Sequence, residues 1–233
     1  RVFEPCCGKG GFVFDIIDRF MEGMNGTIPN EKERYKYIVE NCIYFADINK
    51  ANIYIVRFLI DPLGEYKLNY YCGDTLKLDV KKKWGIKGFG AVIGNPPYQP
   101  PSNDKKGGKS LWTLFVKYSF NIIITRGYLC FVHPALWRKP NNDMHDLMFS
   151  NKQLVYLSIH NKVEGMKVFR ATTRYDWYVM QNIENTKPTT IQFEDGETHI
   201  ISIKDIPFIP NFGWSIFSKI FYIISVYFCR IKN

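Results

Sequence analysis

The chain has few histidines and no cysteine spacing that suggests a zinc site or a disulfide framework. Four histidines are scattered along it, and its six cysteines (Cys6, Cys7, Cys42, Cys72, Cys130 and Cys229) include no Cys-x-x-Cys pair. Most of these thiols stand in apolar runs, which argues against a zinc site and against a secreted disulfide scaffold. No metal is expected, and a reducing, cytoplasmic setting is the default. A signal peptide is lacking too. The sequence opens Arg1-Val2-Phe3-Glu4, already strand-like and without Met, which reads as a cropped beginning and not as a secreted one. No apolar run suits a bilayer, because Ile216 to Phe228 is short and interrupted by Lys219. Acidic charge is the minority, 22 Asp and Glu against 31 Lys and Arg, for a net charge of +9. That balance favours a polyanionic partner and says nothing of fold. The lysine groups Lys81-Lys82-Lys83 and Lys105-Lys106, taken singly, read as solvated loops.

Two nucleotide fingerprints are incomplete. A glycine-rich turn, Glu4-Pro-Cys-Cys-Gly-Lys-Gly-Gly11, follows a first strand at Val2-Phe3 and leads into a helix with Phe12, Val13, Ile16, Ile17 and Phe20 at helical spacing. Strand, glycine turn and helix let backbone approach a nucleotide-like ligand. The dinucleotide pattern GxGxxG, however, requires glycine where Val13 stands, so NAD is disfavoured. Further on, Gly107-Gly-Lys-Ser110 mimics the end of a P-loop, but Asn103 occupies the place of its first glycine. Ser110 instead predicts a helix N-cap, with Leu111, Leu114, Phe115 and Tyr118 as the buried face. His133, beside Pro134 at a strand end, reads as structural, and no convincing catalytic histidine is present.

Four polar groups stand at the carboxyl ends of four successive strands. The second strand, Ile43 to Asp47, ends in an acid, and the third, Leu68 to Cys72, leads to Gly73-Asp74. A helix between them carries Ala51, Tyr54, Ile55, Phe58 and Leu59 as its apolar stripe. The fourth strand, Ala91 to Ile93, runs through Gly94 into Asn95-Pro96-Pro97-Tyr98. In a parallel sheet the carboxyl ends share one edge, where open α/β sheets bind ligands, so Glu4, Asp47, Asp74 and Asn95 are expected to converge on one cleft. The two prolines stiffen the last loop and remove amide donors. What remains is one side-chain amide, free carbonyls and one aromatic face, an inventory that suits a planar nitrogen substrate. The Asn95 oxygen and the Pro96 carbonyl can each accept one N–H of an exocyclic amine. Those bonds strengthen as the nitrogen becomes tetrahedral, which favours the transition state over the ground state. Tyr98 offers a stacking surface worth roughly 1–3 kcal/mol per base. Downstream, strands are predicted near Tyr128 to Val132, Leu154 to Ile159 and Tyr175 to Gln181, with a short helix over Asp143 to Phe149 and a loop over Val163 to Arg170. A hairpin is predicted around Asp195-Gly196.

In these motifs, from Arg1 to about Asn182, the chain resembles the N6-adenine-specific DNA methyltransferases of restriction–modification systems. Glu4-Pro-Cys-Cys-Gly-Lys-Gly-Gly-Phe12 is similar to their cofactor motif, and Asn95-Pro-Pro-Tyr98 to their catalytic motif, in the same order. The resemblance implies a Rossmann-like α/β fold of the class I S-adenosylmethionine-dependent methyltransferases: a seven-stranded, mostly parallel sheet with helices on both faces. It places Glu4, Pro5, Gly8 and Gly10 on the cofactor, with Glu4, Gly8 and Gly10 against its methionine part. Asp47 is placed on the ribose and Asp74 on the cofactor's adenine. Asn95 and Pro96, with Pro97 completing the motif, hold the target amine, and Tyr98 and Phe169 stack on a flipped base. Double-stranded DNA is the implied partner, with a restriction–modification subunit or fused nuclease in the full protein. The catalytic domain is expected over 1–185 without its N-terminal segment, and the start of a target-recognition region over 186–233. The residues leave two other readings open. One is N-methylation of a different planar nitrogen, in an RNA base or a protein glutamine; the other is a nucleic-acid-binding fragment without turnover.

Overall fold

The computed structural model describes residues 1–99, 110–140 and 144–231. The P-loop-like residues 107–109 and the start of the helix predicted from Asp143 lie outside them. Nine strands are present among the described residues, most of them pairing in parallel. The chain divides into two compact units, one of residues 1–133 and 180–183, the other of residues 134–179 and 184–233.

In the first unit β1 (Val2–Glu4), β2 (Ile43–Asp47), β3 (Asn69–Cys72), β4 (Phe89–Gly94) and β5 (Ile123–Pro134) stand in the order β3-β2-β1-β4-β5. Every neighbouring pair in that order is parallel. The carboxyl ends of β1 to β4 therefore lie along one edge. Alternation along the strands explains how the faces are covered. Ile43 and Phe45 point into a core shared with α1 (Gly11–Gly23), α2 (Glu31–Asn41) and α3 (Lys50–Ile60), where Val13, Ile17, Ile38, Val39 and Val56 are buried. Phe3 and Tyr44 point the other way, into an aromatic cluster with Phe89 and with Trp84 of α4 (Val80–Trp84). Phe3 stacks on Phe89 at a centroid distance of 4.8 Å.

Two helix faces differ from those expected. On α3 the buried residues are Ile53, Val56 and Ile60, whereas Tyr54, Phe58 and Leu59 are 67, 51 and 57% exposed. In a helix apolar on nearly every side, two stripes fit the same spacing. The β-branched one packs on the sheet, and Tyr54 and Phe58 stack on each other outside it. On α5 (Leu111–Ile122) the buried set is Trp112, Phe115, Val116, Ser119 and Ile122, so Leu111, Leu114 and Tyr118 do not form its inner face. Trp112 decides the rotation by stacking on buried His133 at 4.0 Å. Ser110 occupies the N-cap position, but its side chain makes no capping bond.

In the second unit the order is β7-β6-β8-β9, formed by β6 (Gln153–His160), β7 (Tyr175–Gln181), β8 (Thr189–Gln192) and β9 (Thr198–Ile201). The last two are the expected hairpin, antiparallel to each other. They also raise the strand count from seven to nine, because β8 pairs in parallel with β6 through Leu157 and Ile191, both fully buried. A π-helical turn occupies Asp146–Asn151. The loop expected over Val163 to Arg170 is instead the helix α6 (Lys162–Phe169), started by a reciprocal capping box between Asn161 and Glu164. Gly165 allows its close packing, since a methyl group there would run into the Thr173 carbonyl oxygen. The chain continues into α7 (Trp214–Ile231). No helix among the described residues is long and apolar enough to cross a membrane.

A buried ion pair anchors the second unit. Arg138 Nε donates to Asp176 at 2.8 Å, with the side chains 4 and 0% exposed. The remaining guanidinium donors reach the carbonyls of Ile209 and Pro210 and the Asn211 side chain. Replacing Arg138 by Met leaves Asp176 as an unpaired buried carboxylate. Urea denaturation of Arg138→Met is expected to show a loss of about 3–5 kcal/mol.

Candidate active site

The glycine turn after β1 is shaped by backbone demands before any ligand is considered. Gly8 and Gly10 have φ of 53° and 91°, in the left-handed region that favours glycine. A Cβ on Gly10 would lie 2.8 Å from the Phe14 ring and 2.9 Å from Val56. Gly10 is thus fixed by helix packing, while Gly8 and Gly11 have open space where a Cβ would stand. The turn is held by its neighbours. Cys7 N–H donates to the Ala46 carbonyl at 2.8 Å, Gly8 N–H to Asp47 Oδ2 at 2.8 Å, and Thr75 Oγ1 to the Pro5 carbonyl at 2.8 Å.

Asp47 is buried, and its second oxygen accepts from Asn49 N–H at 2.7 Å. Its carbonyl accepts from Gly73 N–H at 3.0 Å, which brings the end of β3 alongside. Asp74 begins a short 3-10 turn, accepting from Leu76 N–H at 3.1 Å and pairing with Lys77 at 3.3 Å.

Asn95 follows β4 directly and is exposed, with Pro96 buried and Tyr98 half-buried behind it. Gly94 passes close to the cofactor-like turn: a Cβ on it would sit 3.5 Å from Pro5 and 3.7 Å from Cys6 Sγ. On the far side of the loop, Leu111 N–H donates to the Tyr98 carbonyl at 3.2 Å, which ties the start of α5 to the motif.

These elements enclose a cleft of about 400 Å³ lined by Glu4, Cys6, Cys7, Gly8, Gly11, Phe12, Asp15 and Asn95. The structure therefore brings Glu4, Gly8 and Asn95 together. Asp47 supports the wall through Gly8, whereas Pro5, Gly10, Asp74, Pro96, Pro97 and Tyr98 do not line this cleft. Phe169 is the last residue of α6 in the second unit, edge-on to Tyr175 at 4.9 Å. Sequence reasoning missed Asp15. Phe12, the last residue of the cofactor-like motif, is 40% exposed and faces the cleft.

The cleft is acidic and carries no lining cation. Glu4 is 3% exposed, and its Oε2 has no hydrogen-bond partner. Burial, with the charges of Asp47 and Asp15 and against a hydrogen bond from Val13 N–H, raises its pKa to about 8. Burial and the nearby Glu4 and Asp47 carboxylates also push both the Cys6 and Cys7 thiols well up. A buried carboxylate oxygen in want of a donor, beside an open glycine turn, fits a ligand bearing positive charge and N–H groups. S-adenosylmethionine, with its sulfonium and ammonium groups, is such a ligand.

A second constellation invites comparison with hydrolases. Ser158 Oγ lies 3.0 Å from His160 Nε2, whose Nδ1 lies 3.4 Å from Glu164. Ser158 is buried within β6 and bonds to Gln192, so no substrate carbonyl can reach it.

The fold is that of the class I S-adenosylmethionine-dependent methyltransferases, with a cleft at the carboxyl ends of its parallel strands. Within that class, the chain belongs to the Eco57I restriction-modification methylase family, whose model matches residues 41–169. An uncharacterized adenine-specific methylase of Mycoplasma pneumoniae is 27% identical over 125 residues, which is 51% of this chain and 29% of that protein. The chain thus spans less than a third of the length of that relative. Among solved structures, the M protein of the type I restriction enzyme EcoKI superimposes with a TM-score of 0.63 at 12% identity, over 82% of this chain and 43% of that one. A putative class I S-adenosylmethionine-dependent methyltransferase of Listeria monocytogenes gives 0.55 at 13% identity, over 82% and 57%.

Glu4 makes stability depend on pH. Its folded pKa lies above its unfolded one, so the contribution of the neutral, buried carboxyl is complete below about pH 4.3. That contribution is lost as pH rises toward about 8. Across this window, wild-type stability in urea is expected to fall by up to about 1.4 kcal/mol per pH unit from this group. Glu4→Gln is expected to remove that slope; an unaltered slope would show that Glu4 is already ionised.

Proposed function

We propose that this chain carries the catalytic machinery of an S-adenosylmethionine-dependent DNA methyltransferase acting on the N6 amine of adenine. The observation that carries this reading is that Asn95 and the Glu4–Gly11 turn line one cleft. Membership of the restriction-modification methylase family and the name of the Mycoplasma pneumoniae relative support it.

In this reading Glu4 and the open faces of Gly8 and Gly11 receive the methionine part of the cofactor, with Pro5 and Gly10 shaping the turn. Asp47 has two backbone partners already and spare lone pairs for the ribose hydroxyls. Asp74, at the end of the adjacent strand, serves the cofactor's adenine. The bound cofactor supplies an electrophilic methyl group. Asn95 Oδ1 and the Pro96 carbonyl accept the two N–H bonds of the target amine and draw its lone pair out of conjugation. Pro97 holds the loop rigid. The extra proton leaves after transfer, so no strong base is required of the chain. The target adenine has to leave the duplex at a cost of a few kcal/mol. Stacking on Tyr98 offsets part of that cost. Residues 1–185 form the catalytic domain in this scheme, and 186–233 belong to a recognition region. The full protein acts on double-stranded DNA with a restriction subunit or fused nuclease.

Asn95→Ala is expected to abolish N6-methyladenine formation in DNA while leaving the Kd for S-adenosylmethionine, measured calorimetrically, within about twofold. Unchanged turnover would sink the mechanism. Methyl transfer to RNA or protein but not to DNA would keep the chemistry and reassign the substrate.

A further inference from the structure

A groove of the second unit shares no residue with the cleft lined by Glu4 and Asn95. It has a volume of about 680 Å³ and is formed by the segment Pro134–Pro140, by Lys162 at the start of α6, by Thr172–Arg174, and by Phe208–Asn211. Four of its lining residues are cationic (Arg138, Lys139, Lys162 and Arg174), and none is acidic. The two arginines are already committed. Arg138 holds Asp176 and the Ile209–Asn211 wall, and Arg174 is paired in two parallel bonds with Glu194 at 3.0 Å. Lys139 and Lys162 are exposed and belong to no ion pair among the described residues. The exposed Thr172 side chain lies in the same groove, and Leu136 and Phe208 are 54 and 38% exposed there.

This distribution separates structure from availability. The arginines build the walls, and the flexible point charges project from them unspent. Lysines of that kind bind phosphate without demanding one orientation, which suits a repeating anion and not a single rigid ligand. Exposed apolar side chains between the charges give the sugar and base faces of such a polymer something to cover.

We infer that this groove seats the phosphodiester backbone of DNA, with Lys139 and Lys162 each neutralising one phosphate. The inference rests on the DNA reading above for its choice of polyanion. Contacts of this type set affinity and register without reading sequence.

The test is fluorescence anisotropy of the whole chain with a labelled DNA duplex over a series of salt concentrations. Neutralising one phosphate contributes about 0.9 to the slope of log K against log salt. Lys139→Ala/Lys162→Ala is therefore expected to reduce that slope by about 1.8 and to weaken binding on the order of tenfold or more at low salt. Cofactor affinity should not change, and Lys139→Arg/Lys162→Arg should keep the wild-type slope. Both positions are exposed, and a circular dichroism melt confirms that the variants fold. A wild-type slope in the alanine double variant would overturn the groove. A wild-type chain without salt-dependent affinity for DNA, or one that prefers an RNA duplex, would overturn it as well. The two readings fail separately: a chain that shows the slope change but forms no N6-methyladenine loses the catalytic reading alone. A double variant with the wild-type slope and full methylation loses only the groove.

Discussion

One buried carboxylate joins the parts from which the cleft is made. Asp47 takes the Gly8 amide on one oxygen and the Asn49 amide on the other, and its carbonyl takes the Gly73 amide. The turn after β1, the start of α3 and the end of β3 are therefore set by one residue at the end of β2. Each of those bonds satisfies a backbone N–H group. Thr75, reaching the Pro5 carbonyl, adds a second tie from the β3 side. With the turn so fixed, Gly94 can run close beside Pro5 and Cys6 and deliver Asn95 to the cleft. The position of the amide is thus a consequence of strand order, in which β1 lies between β2 and β4.

Much of this order was legible in the sequence because it rests on local signals. The second strand has the predicted ends, Ile43 and Asp47, since its apolar run is bounded by Asn41-Cys42 before and by the acid after. The fourth strand had to stop at Gly94 because two prolines follow Asn95. The hairpin at Asp195-Gly196 announced itself by turn chemistry. What stayed hidden depends on tertiary choice. Nothing local tells α3 whether to bury Tyr54 and Phe58 or Ile53 and Val56, and the sheet surface decides for the branched side chains. The parallel pairing of β8 with β6 is a long-range event that a hairpin signal cannot contain. The helix α6 is a different case, since Asn161-x-x-Glu164 is a readable cap that a Gly at position 165 obscured.

At the site, residue types were easier to read than their duties. Glu4, Gly8 and Asn95 line the cleft, whereas the glycine at position 10 is required by Phe14 and Val56 and not by an open face. Asp15 escaped notice because a polar residue near the start of a helix can face either solvent or the cleft at the same spacing. In the second unit, Arg138 and Asp176 hold together segments far apart in the chain, and that pairing has no sequence signal at all.

The neighbouring sulfurs of the turn have one further meaning. Cys6 and Cys7 both line the cleft where a methyl donor is proposed to bind. A thiolate is among the best acceptors of a methyl group that a protein possesses, so an ionised cysteine there would be alkylated in place of the substrate. The acidic, desolvated surroundings keep both sulfurs protonated and weakly nucleophilic. Burial out of water is the main cause, so the close packing of the turn is what would keep its own sulfurs from competing for the methyl group.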